Sequence, residues 1–162
     1  MAAQRGDRDA FAELYSRFGR LVHAILLARV PPDAAADLAQ DVFLHAWTTL
    51  RSLRNAAAFP GWIATIARHR AIDFVRRAPL EVALDERAVS RDEPDLRAQA
   101  AEALAAIHEL PDTYRETLTL RLIEGCSGRE IAVLCGLTED SVRVNLHRGF
   151  KLLRARLGEH GH

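Results

Sequence analysis

Apolar side chains recur at helical spacing along most of this chain. Phe11, Leu14, Phe18, Leu21 and Ile25 step by three and four residues, and Tyr15, Val22 and Leu26 widen the stripe. That period predicts an amphipathic helix, with Asp7 or Asp9 capping its first amides; "RVPP" closes it. A second helix is expected from near Asp33, with Leu38, Val42, Trp47 and Leu50 inward. "RSLRNAAAF" breaks the pattern, and Pro60 then falls where a first-turn proline is tolerated. The third helix, "GWIATIARHRAIDFVRR", buries Trp62, Ile63, Ile66 and Phe74. Leu96, Ala100, Leu104 and Ile107 mark a fourth. "LPD" starts a fifth, with Tyr114, Leu118 and Leu122 on its stripe and Gly125 as its stop. Sustained period-2 alternation and Asn-Gly hairpin signals are both missing, so the expected class is all-α.

Between Ala78 and Pro94 the periodicity fades. This stretch is acidic, poor in aromatics and punctuated by prolines, and it reads as a flexible linker of roughly 15–18 residues. It divides the chain into modules at 1–77 and 95–162. The linker serves either as a solvated tether or as an acidic strip that lies in a basic, nucleic-acid-binding channel.

The pattern turns specific in "SGREIAVLCGLTEDSVRVNLHRG". Ser127 and Glu130 have the spacing of a capping box. Gly136 stands where the chain must turn sharply, a place for positive φ. Leu137 is expected in the corner, and Thr138 caps the next helix. A capped helix, a glycine turn and a second capped helix is the helix-turn-helix plan. On a helical wheel Val142, Leu146, Leu153 and Leu157 share the inner side, flanked by Gly149 and Phe150. Asp140, Val144, His147, Arg148 and Lys151 share the outer one, with Arg143 and Arg154 on its shoulder. Such a helix reads base edges from its N-terminal half. Arg148 suits guanine, His147 a base edge or phosphate, and Val144 a thymine methyl. Lys151, Arg154 and Arg156 suit phosphates, which position the helix. A merely solvated cationic face is the bland alternative, and the cap and turn just upstream argue against it.

Charge sharpens the division. Basic and acidic side chains balance at 22 each. The net charge is positive over residues 1–80, negative over 81–112 and positive again over 113–162. Residues 143–156 hold five cations and no carboxylate. The first module has a second patch, Arg68, His69, Arg70, Arg76 and Arg77, preceded by the mixed aromatic and basic loop "LRSLRNAAAFPGW". Stacking rings beside cations suit single-stranded DNA. Phe59 is divided between that role and the core; Trp62 is assigned to the core.

Cys126 and Cys135 form no CxxC pair and read as packing residues, although zinc held by them with His147 is conceivable. Neither a metal nor a cofactor is expected. No apolar run approaches the ~18 residues of a membrane span. The first residues lack a secretory h-region, so the expected location is cytoplasmic without membrane insertion.

"DLAQDVFLHAW", "AFPGWIATIARHRAIDFVRR" and "LPDTYRETLTLRLIEGCSGREIAVLCGLTEDSVRVNLHRGFKLLR" together resemble conserved regions two and four of bacterial extracytoplasmic-function (ECF) sigma factors of the sigma-70 superfamily. The likeness covers roughly residues 8–77 and 96–157. It implies two small helical domains that dock on core RNA polymerase and direct it to promoter DNA, with no enzymatic activity. By that resemblance Asp37, Gln40, Asp41 and Leu44 meet the clamp helices of the polymerase's largest catalytic subunit. Arg54, Asn55, Phe59, Arg68, His69, Arg76 and Arg77 meet the −10 element, and Arg143, Val144, His147, Arg148, Lys151 and Arg154 the −35 element. The family's usual inhibitor is an anti-sigma factor. His69 stands where the family usually has Asn, Val144-Asn145 replaces a common Ser-Arg pair, and Gly149-Phe150 a common Ala-Arg. Because these departures touch the −35 reader, they leave the promoter sequence open. No added sensory domain is expected.

Zero net charge weakens non-specific DNA binding, which scales with phosphates neutralised. Two weak basic patches on a tether are therefore expected to act together once a polymerase fixes their separation. A stand-alone helix-turn-helix regulator is the competing class. A hydrolase is disfavoured, since no nucleophile elbow, P-loop or HExxH occurs.

Overall fold

The computed structural model of the protein describes residues 1–78 and 94–160. Nearly all of the expected linker therefore lies outside the described residues. Among those described there are seven α-helices and no strand.

Helix α1 (Arg8–Leu27) begins at Asp7, whose carboxylate accepts from Asp9 N and Ala10 N at 3.0 and 3.1 Å. Of the two candidate caps, Asp7 is the one used. Helix α2 (Pro32–Thr49) starts on a proline at its first position, where the missing N–H has no partner to lose. In α3 (Phe59–Arg77) Pro60 stands at the second position, still within the first turn, whose N–H groups have no intrahelical acceptor. These three helices pack on one another through an aromatic cluster. Phe11 meets Trp47 edge-on at 4.8 Å, Tyr15 meets Phe43 at 4.5 Å, and Phe18 meets Phe59 at 5.1 Å. Fully burying a ring such as Phe43 or Phe59 contributes about 1.5–3 kcal/mol before its ordering cost. A 3-10 turn at Ala3–Arg5 folds under the end of α2, where Gln4 Nε2 donates to Leu50 O at 3.2 Å and Leu53 O at 2.6 Å. Both carbonyls border the loop that leads into α3.

The second module comprises α4 (Pro94–His108), α5 (Asp112–Leu122), α6 (Gly128–Cys135) and α7 (Glu139–His160). Its centre is α5, where five consecutive residues, Glu116 to Leu120, are buried. A helix buried on several sides does not obey a one-face stripe. For this reason Leu122, expected inward, is half exposed, while Thr117 and Thr119 are buried. Both threonine hydroxyls turn back to carbonyls of their own helix, Thr117 to Tyr114 O and Thr119 to Arg115 O. Leu96 is also exposed, contrary to expectation, because α4 enters the core only from about Leu104 onward.

The capping box forms as expected: Glu130 N donates to Ser127 Oγ at 3.2 Å, and Ser127 N to Glu130 Oε2 at 2.7 Å. Gly136 ends α6 in the left-handed region at φ 64°. Leu137 is bound there through its backbone N–H, which reaches Ala132 O at 2.9 Å. Its side chain is exposed rather than tucked into the corner, because the chain reversal is completed by backbone bonds.

The two modules pack on each other, α1 against α5 and α3 against α6, and their buried side chains form one contiguous core. Polar contacts reinforce the seam. His108 Nε2 donates to Leu27 O at 2.6 Å, Arg20 pairs with Glu124 at 3.2 Å, and Glu116 draws in two arginines from the first module.

Candidate nucleic-acid interface

Helix α7 is pinned along one side and free along the other. Val142, Leu146, Gly149 and Leu153 are buried, with Phe150 and Leu157 partly so. Gly149 sits where a Cβ would come within 3.1 Å of Leu118 Cδ1 and 3.3 Å of Tyr114 Cβ, so its hydrogen lets α7 approach α5 closely. Thr138 Oγ1 accepts from Ser141 N at 3.1 Å and fixes the start of the helix. The outer side then projects into solvent. Arg143, Val144, His147 and Arg148 line one shallow concavity of about 440 Å³. Val144 is 42 % exposed among these cations, an apolar residue that contributes nothing to the core. Arg143 is held by Asp140 at 2.9 Å, one turn earlier. Lys151 and Arg154 continue the exposed face toward the C-terminus, while Arg156 approaches Glu109, just past the end of α4, at 3.5 Å.

The first module presents a second basic surface on α3, where His69, Arg76 and Arg77 are exposed. Arg54 and Asn55 are exposed in the preceding loop, with Asn55 Oδ1 accepting from Ala57 N at 3.0 Å as the cap of a short turn. Phe59 does not join them. It is 1 % exposed, enclosed by Phe18 and by Trp62 at 5.8 Å. Its ring is core material, since no base can stack on a face already covered by side chains. Asp37, Gln40, Asp41 and Leu44 lie along the outer face of α2, with Leu44 66 % exposed.

Arg68 is also set apart from its expected neighbours, because it points at the second module. Its Nε donates to Glu116 Oε1 at 2.8 Å and to Oε2 at 3.1 Å, and its Nη2 lies 2.7 Å from Oε1 and donates to Leu134 O. Arg29 Nη1 reaches Glu116 Oε2 at 2.7 Å. Burial pushes the Glu116 carboxyl up, but the bonds and charges of Arg68 and Arg29 outweigh it and hold the acid below its ordinary range. Arg68 is raised in turn: its burial acts downward, and Glu116 more than compensates. Cys135 donates to the same carboxylate at 3.6 Å. Burial and that negative charge push its thiol up to about 12, so it is no nucleophile at neutral pH. Among the described residues no cluster of three or more His, Cys, Asp or Glu has the arrangement of a metal site.

Sequence reasoning missed Glu116. Its signal was a carboxylate one helical turn before Leu120 on α5, opposite the apolar stripe, with unassigned arginines elsewhere in the chain.

Family models match in two blocks, Sigma-70 region 2 over residues 14–79 and Sigma-70 region 4 over 100–153. RNA polymerase sigma factor CarQ of Myxococcus xanthus is 33 % identical, covering 95 % of this chain and 92 % of that protein. The ECF RNA polymerase sigma-E factor of Haemophilus influenzae is 28 % identical, over 95 % and 90 %. The solved structure of CnrH in complex with the cytosolic domain of CnrY is similar at a TM-score of 0.72 and 25 % identity, covering 98 % of this chain and 94 % of that one. The two basic surfaces, on α3 and on α7, fall one in each matched block, and the chain belongs to the sigma-70 family as an ECF RNA polymerase sigma factor.

Proposed function

We propose that this sigma factor binds core RNA polymerase through α2 and selects promoters by contacting the −10 and −35 elements with its two modules. The observation that carries the reading is the division of labour on α7. The inner side packs on the core through Val142, Leu146, Gly149 and Leu153, while Arg143, Val144, His147 and Arg148 converge on one outward concavity. Cations beside an apolar contact at the N-terminal half of a capped second helix suit a major-groove reader. Lys151 and Arg154 follow as phosphate contacts.

On the first module, Arg54, Asn55, His69, Arg76 and Arg77 are the −10 surface already open to solvent; Arg68 belongs to it by position and reaches it once released from Glu116. Asp37, Gln40, Asp41 and Leu44 form an acidic and apolar strip suited to the clamp helices of the largest polymerase subunit. An anti-sigma protein is the inhibitor this reading expects, and the similar CnrH has been solved with a second protein, the cytosolic domain of CnrY, bound to it. Action on polymerase and DNA within the cell places the protein in the cytoplasm.

The test is transcription from a defined start. Start sites are mapped after overexpression, and the promoters found are transcribed with purified core enzyme. Transcripts that require both the core enzyme and this protein are expected. Their absence at every mapped promoter would favour the stand-alone helix-turn-helix regulator.

A further inference from the structure

The triad at the seam joins the two modules through a residue that one of them needs elsewhere. Glu116 is 5 % exposed, and its two oxygens are shared between Arg29, just past the end of α1, and Arg68, midway along α3. Arg68 Nη2 also donates to Leu134 O, in the last turn of α6, where a helix leaves carbonyls without intrahelical partners. The Nε–Nη2 edge of its guanidinium is therefore taken by the second module, on a side chain that is only 20 % exposed. A DNA phosphate and the Glu116 carboxylate cannot both occupy that fork.

We infer that the Arg29–Glu116–Arg68 triad is an intramolecular latch that keeps the free protein closed and withholds Arg68 from −10 DNA. The inference rests on Arg68 belonging to the −10 surface. The surfaces left outside the seam give the latch its order of events. Asp37, Gln40, Asp41 and Leu44 are exposed in the closed form, so polymerase can dock on α2 before anything opens. Arg143, Val144, His147 and Arg148 are exposed too, so closure leaves the −35 surface uncovered. What closure removes is the first module's central arginine. The latch is suited to release, because the attraction within a buried ion cluster is largely offset by the desolvation of its members. Docking energy from a large partner then suffices to separate the modules, and the phosphate backbone takes the place of Glu116.

Two substitutions test this in the full chain without altering a DNA-facing residue. Glu116→Gln removes the charge that both arginines share, and Arg29→Ala removes one arm while leaving Arg68 intact. Small-angle X-ray scattering reads opening as an increased radius of gyration. Fluorescence anisotropy reads binding of a labelled single strand carrying the −10 sequence from a mapped promoter. Both variants are expected to expand and to bind the strand about tenfold more tightly than the wild type, the gain for a competent state previously populated at about one part in ten. Transcription at saturating core enzyme is expected to stay within about twofold, since docking opens the wild type as well.

Unchanged radius and affinity in both variants would overturn the latch. Expansion without tighter strand binding would overturn the masking of Arg68. If one variant fails to fold by circular dichroism, the other decides. Failure of the wild-type holoenzyme to transcribe would instead strike the sigma-factor reading, while the scattering comparison still scores the closed state.

Discussion

At the scale of single residues, side-chain chemistry and burial give opposite answers at Phe59 and Arg148. Phe59 sits in a loop whose composition suits single-stranded DNA, yet its ring lies between Phe18 and Trp62 with 1 % of its surface exposed. Phe59→Ala should therefore destabilise the whole protein by about 3–5 kcal/mol, read as a lower urea midpoint. Phe59→Leu should fold and keep its promoter choice; selective loss of −10 recognition by a fully stable Leu variant would return the ring to the interface. Arg148 is the converse, exposed and without a packing role. Arg148→Ala should leave the urea midpoint within about 0.5 kcal/mol of wild type and relax preference at one −35 base pair by about 1–3 kcal/mol. Equal weakening on every promoter variant would make it a phosphate contact. The outer face of α7 was legible in the sequence because wheel position alone settles exposure there. Phe59 was not, since an aromatic residue at a loop–helix junction is decided by which neighbours arrive from distant helices.

At the scale of elements, capping and turn chemistry were the most legible features. The Ser127–Glu130 box, the left-handed Gly136 and the Thr138 cap all depend on neighbours within a few positions, and all form. The interior helix α5 was the least legible. Leu118 faces α7, while Glu116 faces the first module, so its burial runs unbroken across Glu116–Leu120 and the single stripe drawn through Leu122 fails. The contact between α5 and α7 turns on Gly149. Gly149→Val would push a branched side chain against Leu118 and Tyr114 and should cost about 1–3 kcal/mol from overpacking. The measurement is a thermal or urea midpoint. Coupled substitution of Leu118 by Ala should recover part of the loss, and full additivity would mean the two side chains do not meet.

At the scale of the whole molecule, the two modules and the helix-turn-helix could be read from periodicity, caps and charge. Their mutual packing could not, because it is built from residues 48 and 87 positions apart that share no local pattern. That packing carries a pH signature. Glu116 is held below its ordinary value of 4.5 in the closed structure. A depressed carboxylate contributes stability that is complete above its unfolded value and is lost as pH falls through its folded value. Urea midpoints of the wild type should therefore decline as the medium is acidified below about pH 4.5, and Glu116→Gln should remove that part of the decline. Parallel profiles for the two proteins would mean that other acids dominate.

One guanidinium that spans Glu116 and the Leu134 carbonyl also constrains inheritance. A lysine at position 68 would keep a charge for a phosphate but lose the planar fork that reaches both acceptors at once. A change at position 116 is felt 48 residues upstream. Two distant codons are thus tied together, and a lineage that retunes one of them should carry a compensating change in the other.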